Sequence, residues 1–181
     1  MSQGGPTVLT PELGELPKLP PCPIGRDDWR DGLLIRSPNW LGDVIMTLPA
    51  MLQLKKALPA TCGLFVICPK GLEPLFKAMR IVDWTIPLAD AHSFMSFAEM
   101  GSVKRLQPGA CLVFNNSLRD VLSLKFGCAV PRIYGASARL RDFLLTAAWK
   151  FPKRRDFVLN KPHHAAKYLS MAYALGAPEW D

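Results

Sequence analysis

The sequence predicts an α/β fold, a doubly wound parallel sheet with helices on both faces. Two patterns predict it. Short apolar runs recur about 20–30 residues apart, GLLIR at 32–36, GLFVIC at 63–68 and CLVFN at 111–115 among them, and segments of helical periodicity lie between them. Strand and helix alternating at that spacing is the signature of βαβ units. A third observation bounds the answer. The chain has 181 residues, 49% hydrophobic and 20% charged, enough for one domain with a real core.

The first 30 residues hold six prolines and four glycines without apolar period, so 1–31 reads as a flexible extension and 32–181 as the domain. GLLIR opens the domain as a buried strand. Asp43–Leu58 follows as a helix, with Leu41, Ile45, Leu48 and Leu52 spaced along one face and Pro49 inside it. GLFVIC is the second strand, closed by Pro69. Lys70–Arg80 is a short helix, Asp83–Pro87 a third strand and Phe94–Leu106 a helix. CLVFN is the fourth strand, Ser117–Phe126 a helix and Arg132–Tyr134 a fifth strand. Arg139–Lys150 and His163–Leu175 read as closing helices, His163 and His164 lying on the surface. Such sheets bind ligands at the carboxyl ends of their strands, which directs attention to the loops after Arg36, Cys68 and Asn115.

Composition narrows the function. Five scattered cysteines without a CxxC pair offer no zinc cage and read as small buried hydrophobes of a reduced, cytoplasmic protein. The N-terminus lacks the basic start and apolar run of a signal peptide, and no stretch reaches the roughly 18 apolar residues of a membrane span. Net charge is +7, and its distribution is uneven. Residues 104–155 carry 11 basic and 2 acidic side chains, net +9, while both flanking regions are near neutral. A block of that kind points to an anionic partner, or to a solvated basic surface. Nucleic acid is not expected, since no zinc-finger spacing, RNP-type aromatic motif or helix-turn-helix accompanies the charge.

The loop after the first strand, RSPNWLGDVIMTLPA at 36–50, contains neither GxGxxG nor GxxxxGK[ST]. A P-loop is excluded, and a dinucleotide-binding dehydrogenase is disfavoured. The loop offers Asn39, Trp40 and Gly42, then Asp43 at a helix start. Asp43 there suits an N-cap or a carboxylate placed to accept a proton, and the two roles are compatible. Trp40 suits stacking on a ligand or anchoring the loop on the core.

RSPNWLGDVIMTLPAMLQLKKALP resembles the opening of bacterial glycosyltransferase family 9, the ADP-heptose:lipopolysaccharide heptosyltransferases, and most the heptosyltransferase II branch. VFNNSLRDVLSLKFGCAVPRIYG at 113–135 and HHAAKYLSMAYALGAP at 163–178 resemble later segments of the same family, in the same order. The resemblance implies a GT-B fold, two Rossmann-like domains facing across a cleft, of which this chain is the N-terminal, acceptor-side half ending near the hinge. The nucleotide-sugar domain is then expected outside it, which sets a non-catalytic module for an anionic glycolipid or a protein as the alternative reading.

The implied reaction moves heptose from ADP-heptose to the inner core of lipopolysaccharide with inversion. Asp43 matches the catalytic-base position. No metal or other cofactor is expected, and the ADP-sugar is a substrate bound through the second domain. The lipid A–core acceptor is anionic, and Arg and Lys hold such groups by charge-assisted hydrogen bonds. Arg119 and Arg132 lie in the matching motifs, Arg139 and Arg141 at a loop-to-helix junction, and Asn116 and Ser117 just past the fourth strand. These six are the candidate acceptor-binding residues. The basic stretch Lys153–Arg155 suits contact with an anionic inner leaflet, placing the protein at the inner face of the cytoplasmic membrane.

Overall fold

The computed structural model describes residues 16–138, 140–151 and 163–179. Six parallel strands form one sheet: β1 (Gly32–Arg36), β2 (Gly63–Pro69), β3 (Trp84–Leu88), β4 (Ala110–Val113), β5 (Arg132–Ala136) and β6 (Ala147–Trp149). Their order is β3-β2-β1-β4-β5-β6. The chain reverses direction across the sheet between β1 and β4, and such a switch point opens a crevice at the carboxyl edge. The helices are α1 (Leu41–Ala57), α2 (Glu73–Ala78), α3 (Phe97–Arg105), α4 (Leu118–Leu122) and α5 (His164–Ala174).

Alternate strand residues divide the core in two. Leu33 and Ile35 of β1, Leu64 and Val66 of β2 and Leu112 of β4 join residues of α1, α2 and α5. Leu34, Phe65, Ile67, Cys111 and Val113 join residues of α3 and α4 on the other face. Both faces are covered, so the central strands are continuous apolar runs rather than alternating ones. Gly32 is required where β1 meets β2, because a Cβ there would fall 2.0 Å from the Gly63 carbonyl oxygen. Burial pushes the Cys68 thiol up to about 12 and the Cys128 thiol up to about 11, and raises Cys111 likewise.

Three expectations are corrected. Residues 16–31 are part of the fold: Ile24 and Trp29 are buried, Leu16 and Leu19 pack on the core, and the Cys22 amide donates to the Ala174 carbonyl at 2.6 Å. Prolines made the segment aperiodic without making it polar. Residues 1–15 lie outside the described residues.

The expected helix Arg139–Lys150 is instead a 3₁₀ turn, Asp142–Leu144, followed by β6. The Asp142 carboxylate accepts from the Ser137 hydroxyl at 2.5 Å and the Ala138 amide at 3.2 Å. Thr146 Oγ1 accepts from the Ile133 amide, and Tyr134 to Ala136 pair with Ala147 to Trp149. Sheet pairing and the Tyr134–Trp149 stack, 6.1 Å between centroids, override the helical preference of the alanines and leucines.

In α1 the sheet-facing stripe is Val44, Thr47, Met51 and Leu54, whereas Leu41 and Ile45 are exposed and Leu48 and Leu52 half-buried. The helix starts at Leu41, earlier than expected, and the smaller stripe is the one that approaches the sheet and α5. Its N-cap is Trp40, with no side-chain cap; Asp43 stands in the first turn instead.

Candidate active site

Polar groups gather at the carboxyl edge. Arg36 ends β1 and is 1% exposed. Its Nε donates to Asp120 Oδ2 at 2.7 Å, Nη1 to the Ser37 carbonyl at 2.6 Å and Nη2 to Asn39 Oδ1 at 2.9 Å. Asp120 on α4, 2% exposed, also accepts from Asn115 Nδ2 at 2.5 Å. Ser117 caps α4, its hydroxyl accepting from the Asp120 amide at 3.2 Å. One buried ion pair thus ties the loop after β1 to the loop after β4.

Arg141 is fully buried beside this pair. It donates to the Asn115 carbonyl at 2.9 Å and the Ala136 carbonyl at 2.7 Å. A Cβ on residue 135 would stand 3.3 Å from Arg141 Nη2, so Gly135 leaves the guanidinium its room. Burial lowers the Arg141 pKa from its usual value, and Asp142 and Asp120 oppose that shift. Among the described residues, the buried guanidiniums of Arg36 and Arg141 face one fully buried carboxylate, Asp120, with the half-buried Asp142 also acting on Arg141.

Above the network a cleft of about 520 Å³ is lined by Asn39, Ala91, Asn115, Asn116, Ser117, Leu118 and Arg119. Asn116 is exposed there. Arg119 Nε is buried with no partner among the described residues, as is Asp120 Oδ1. The edge therefore holds amide, hydroxyl and guanidinium donors suited to oxygen-rich anions.

Asp43 belongs to a neighbouring cluster. It is half-buried in the first turn of α1, facing α5, and acts electrostatically on Lys167 and Tyr168. Burial raises the Tyr168 hydroxyl to about 12, with Asp43 adding to the shift. Burial lowers the Lys167 pKa and Arg141 adds to it, while Asp43 opposes. Tyr168 is fixed by an edge-on contact with Phe114, 5.0 Å between centroids, and Lys167 Nζ stands 5.1 Å from the Phe151 ring centre.

The structure sorts the candidate residues. Asn39, Asn116, Ser117 and Arg119 share the cleft. Trp40 and Gly42 are exposed at the start of α1, and a Cβ on residue 42 would meet nothing within 4 Å, so that glycine has no steric cause. Arg141 belongs beneath the site and has no surface to offer an acceptor. Arg132 begins β5 and so sits at the amino edge, away from the cleft, paired with Asp28 at 2.6 Å. Arg139 lies outside the described residues, as does Lys153–Arg155. Sequence reasoning missed Arg36, Asn115, Asp120, Lys167 and Tyr168. Arg36 and Asn115 left a signal, each ending an apolar strand at the carboxyl edge. Among the described residues no three His, Cys, Asp or Glu side chains gather at metal-ligand spacing.

A doubly wound parallel sheet with a polar cleft at its switch point defines a Rossmann-like domain. The comparisons make that more particular. No family model matches the chain. It is 26% identical over 151 residues to lipopolysaccharide heptosyltransferase 2 of Salmonella typhimurium, covering 80% of this chain and 40% of that protein. It is 27% identical over 147 residues to lipooligosaccharide heptosyltransferase 2 of Haemophilus influenzae, covering 78% and 39%. The crystal structure of a family 9 glycosyl transferase from Veillonella parvula superposes with a TM-score of 0.64 at 20% identity, covering 81% of this chain and 41% of that one. The resemblance carried by the three motifs therefore extends over about four-fifths of the chain, and the fold is that of one half of a GT-B glycosyltransferase. The chain spans about 40% of the length of the curated relatives it matches.

Proposed function

We propose that this chain is the acceptor-side domain of an inverting heptosyltransferase that takes ADP-heptose as donor and the lipopolysaccharide inner core as acceptor, at the inner face of the cytoplasmic membrane. The single observation that carries the reading is the cleft of Asn39, Asn116, Ser117 and Arg119 over the buried Arg36–Asp120 pair, in a chain similar to heptosyltransferases. Arg119 and Asn116 hold phosphate or carboxylate groups of the acceptor. Arg36 and Arg141 fix the two loops and supply positive potential without touching it. Asp43, in the first turn of α1, takes the proton of the attacking hydroxyl as the sugar carbon becomes oxocarbenium-like. The nucleotide-sugar domain completes the enzyme and carries the ADP. No metal is needed in this scheme, because a base and anion-binding donors supply its chemistry.

Calorimetry of the chain with a phosphorylated core oligosaccharide tests the acceptor reading. Arg119→Ala should weaken binding about tenfold or more, with a loss that shrinks as salt rises. Equal affinity in wild type and variant would remove the cleft from the proposal. Asp43 is tested by joining the chain to the nucleotide-sugar domain of a relative and following donor consumption. Asp43→Asn should lower turnover by roughly 10²–10⁴-fold with little change in the melt; turnover within a few-fold of wild type would leave Asp43 a structural residue.

A further inference from the structure

The face formed by α3 and the π-helical turn after α4 exposes more aromatic surface than folding explains. Phe97 is 91% exposed, Phe126 71% and Phe94 61%. These rings are held out by a built frame. Met95, between Phe94 and Phe97, is buried in the core. Ser96 and Glu99 close a capping box that fixes the start of α3. Met100, one turn beyond Phe97, packs so tightly on Gly127 that a Cβ there would fall 2.1 Å from its sulfur, which brings Phe126 alongside α3. Exposed large apolar side chains gathered on one face of this kind mark an interaction site.

The charge beside the rings says what sits there. Lys104 and Arg105 follow Phe97 on the same helical stripe, at i+7 and i+8, and both are exposed. Lys104 is close enough to Cys128 to act on its thiol, so it borders the π turn too. The acidic side chain of α3, Glu99, is occupied by the Ser96 and Ala89 amides. Aromatic rings standing out of a frame, bordered by exposed cations, fit the headgroup region of an anionic bilayer, the rings entering the acyl boundary and the cations meeting lipid phosphates. The loop that carries Phe94 begins at Ala91, which lines the cleft, so the surface adjoins the candidate site.

We infer that the Phe94–Phe97–Phe126 surface with Lys104 and Arg105 docks the protein onto an anionic lipid bilayer. This deepens the membrane contact proposed above and rests on it only for the direction in which the cleft faces. The experiment is co-sedimentation of the full chain with vesicles of phosphatidylcholine and phosphatidylglycerol, and of phosphatidylcholine alone. No sugar is present, so its failure is separable from failure of the transferase reading.

Wild type should partition onto the anionic vesicles and much less onto the neutral ones. The pair Phe97→Ser and Phe126→Ser should weaken partitioning tenfold or more at all salt concentrations. The pair Lys104→Glu and Arg105→Glu should weaken it by roughly fivefold or more per cation at low salt, the difference fading at high salt. Melts of both variants confirm folding, which the exposure of all four side chains protects. Wild type failing to sediment with anionic vesicles, or the phenylalanine variant binding as well as wild type, would overturn the inference. So would a concentration-dependent dimer that the phenylalanine changes dissolve, which would assign the surface to a second copy of the chain.

Discussion

Arg141 and Arg132 stand in one basic block and look equivalent in sequence, yet they serve opposite edges of the sheet in opposite ways. At the carboxyl edge Arg141 is fully buried and spends its donors on two backbone carbonyls, next to the equally buried Arg36–Asp120 pair. At the amino edge Arg132 meets Asp28 with both side chains more than a third exposed, and Lys55 meets Asp83 in similar solvent contact. Charge is taken into the core at the carboxyl edge, where its desolvation is costly, and left in water at the other. A buried pair held by several hydrogen bonds fixes geometry more than it adds stability. That is what a site needs and an ordinary sheet edge does not.

The sharpest way to break the contrast is Asp120→Ala, which strands Arg36 without its counter-charge. It should cost about 3–5 kcal/mol in chemical denaturation. Replacing both, with Arg36→Met and Asp120→Leu, should cost less than the single change, and a double-mutant cycle measures the difference. Equal or larger loss in the double variant would mean that the pair is a net stabiliser. Next comes Arg141→Met, which leaves the Asn115 and Ala136 carbonyls without this donor and should cost about 1–3 kcal/mol; a melt unchanged by it would contradict the buried role.

The amino edge should respond to acid rather than to truncation. Burial alone would raise the Asp83 pKa, but hydrogen bonds from Lys55 and the Leu64 amide outweigh it and hold the carboxyl below its usual value. A carboxylate whose folded pKa is depressed adds stability above its unfolded pKa, about 3.9, and loses it as pH falls through the lower folded value. Asp83→Asn should therefore flatten the stability curve below about pH 4 and leave its shape unchanged near neutrality. A wild-type curve already flat in that acid window would sink this assignment. The smallest effect is expected from Arg132→Ala, within about 0.5 kcal/mol, since exposed pairs contribute little. A loss of 2 kcal/mol or more would erase the distinction between the edges.

Much of the architecture was legible because apolar runs of β1, β2 and β4 are punctuated by glycine and proline, and strand periodicity is decided locally. β6 was not, because AAW is a weak strand former and becomes one only when β5 offers its edge. The stripe of α1 was misassigned for a related reason: Leu41 and Ile45 are more apolar than Thr47 and Ala50, but the sheet admits the smaller set. Asn116 and Ser117, picked out by their place after β4, and Arg119, picked out by its motif, line one cleft. Arg141 and Arg132 were not separable, since burial of an arginine depends on partners such as the Asn115 carbonyl, 26 positions away. Asp120 read as an ordinary helix residue for the same reason.

The strap formed by residues 20–24 has a consequence in time. Trp149 Nε1 donates to the Pro20 carbonyl across 129 positions, and the Cys22 and Ile24 amides reach the carbonyls of Ala174 and Leu175. On a ribosome these residues emerge before α5 and must wait until it has been made, roughly ten to thirty seconds later at ordinary rates of synthesis. Until then the Ala174 and Leu175 carbonyls with which the strap pairs do not exist. A segment made before the sheet is thus among the last to dock. Pulse-labelled amide exchange during refolding should find the Cys22 amide protected after that of Ile35; simultaneous protection would mean that the strap docks with the sheet in one step.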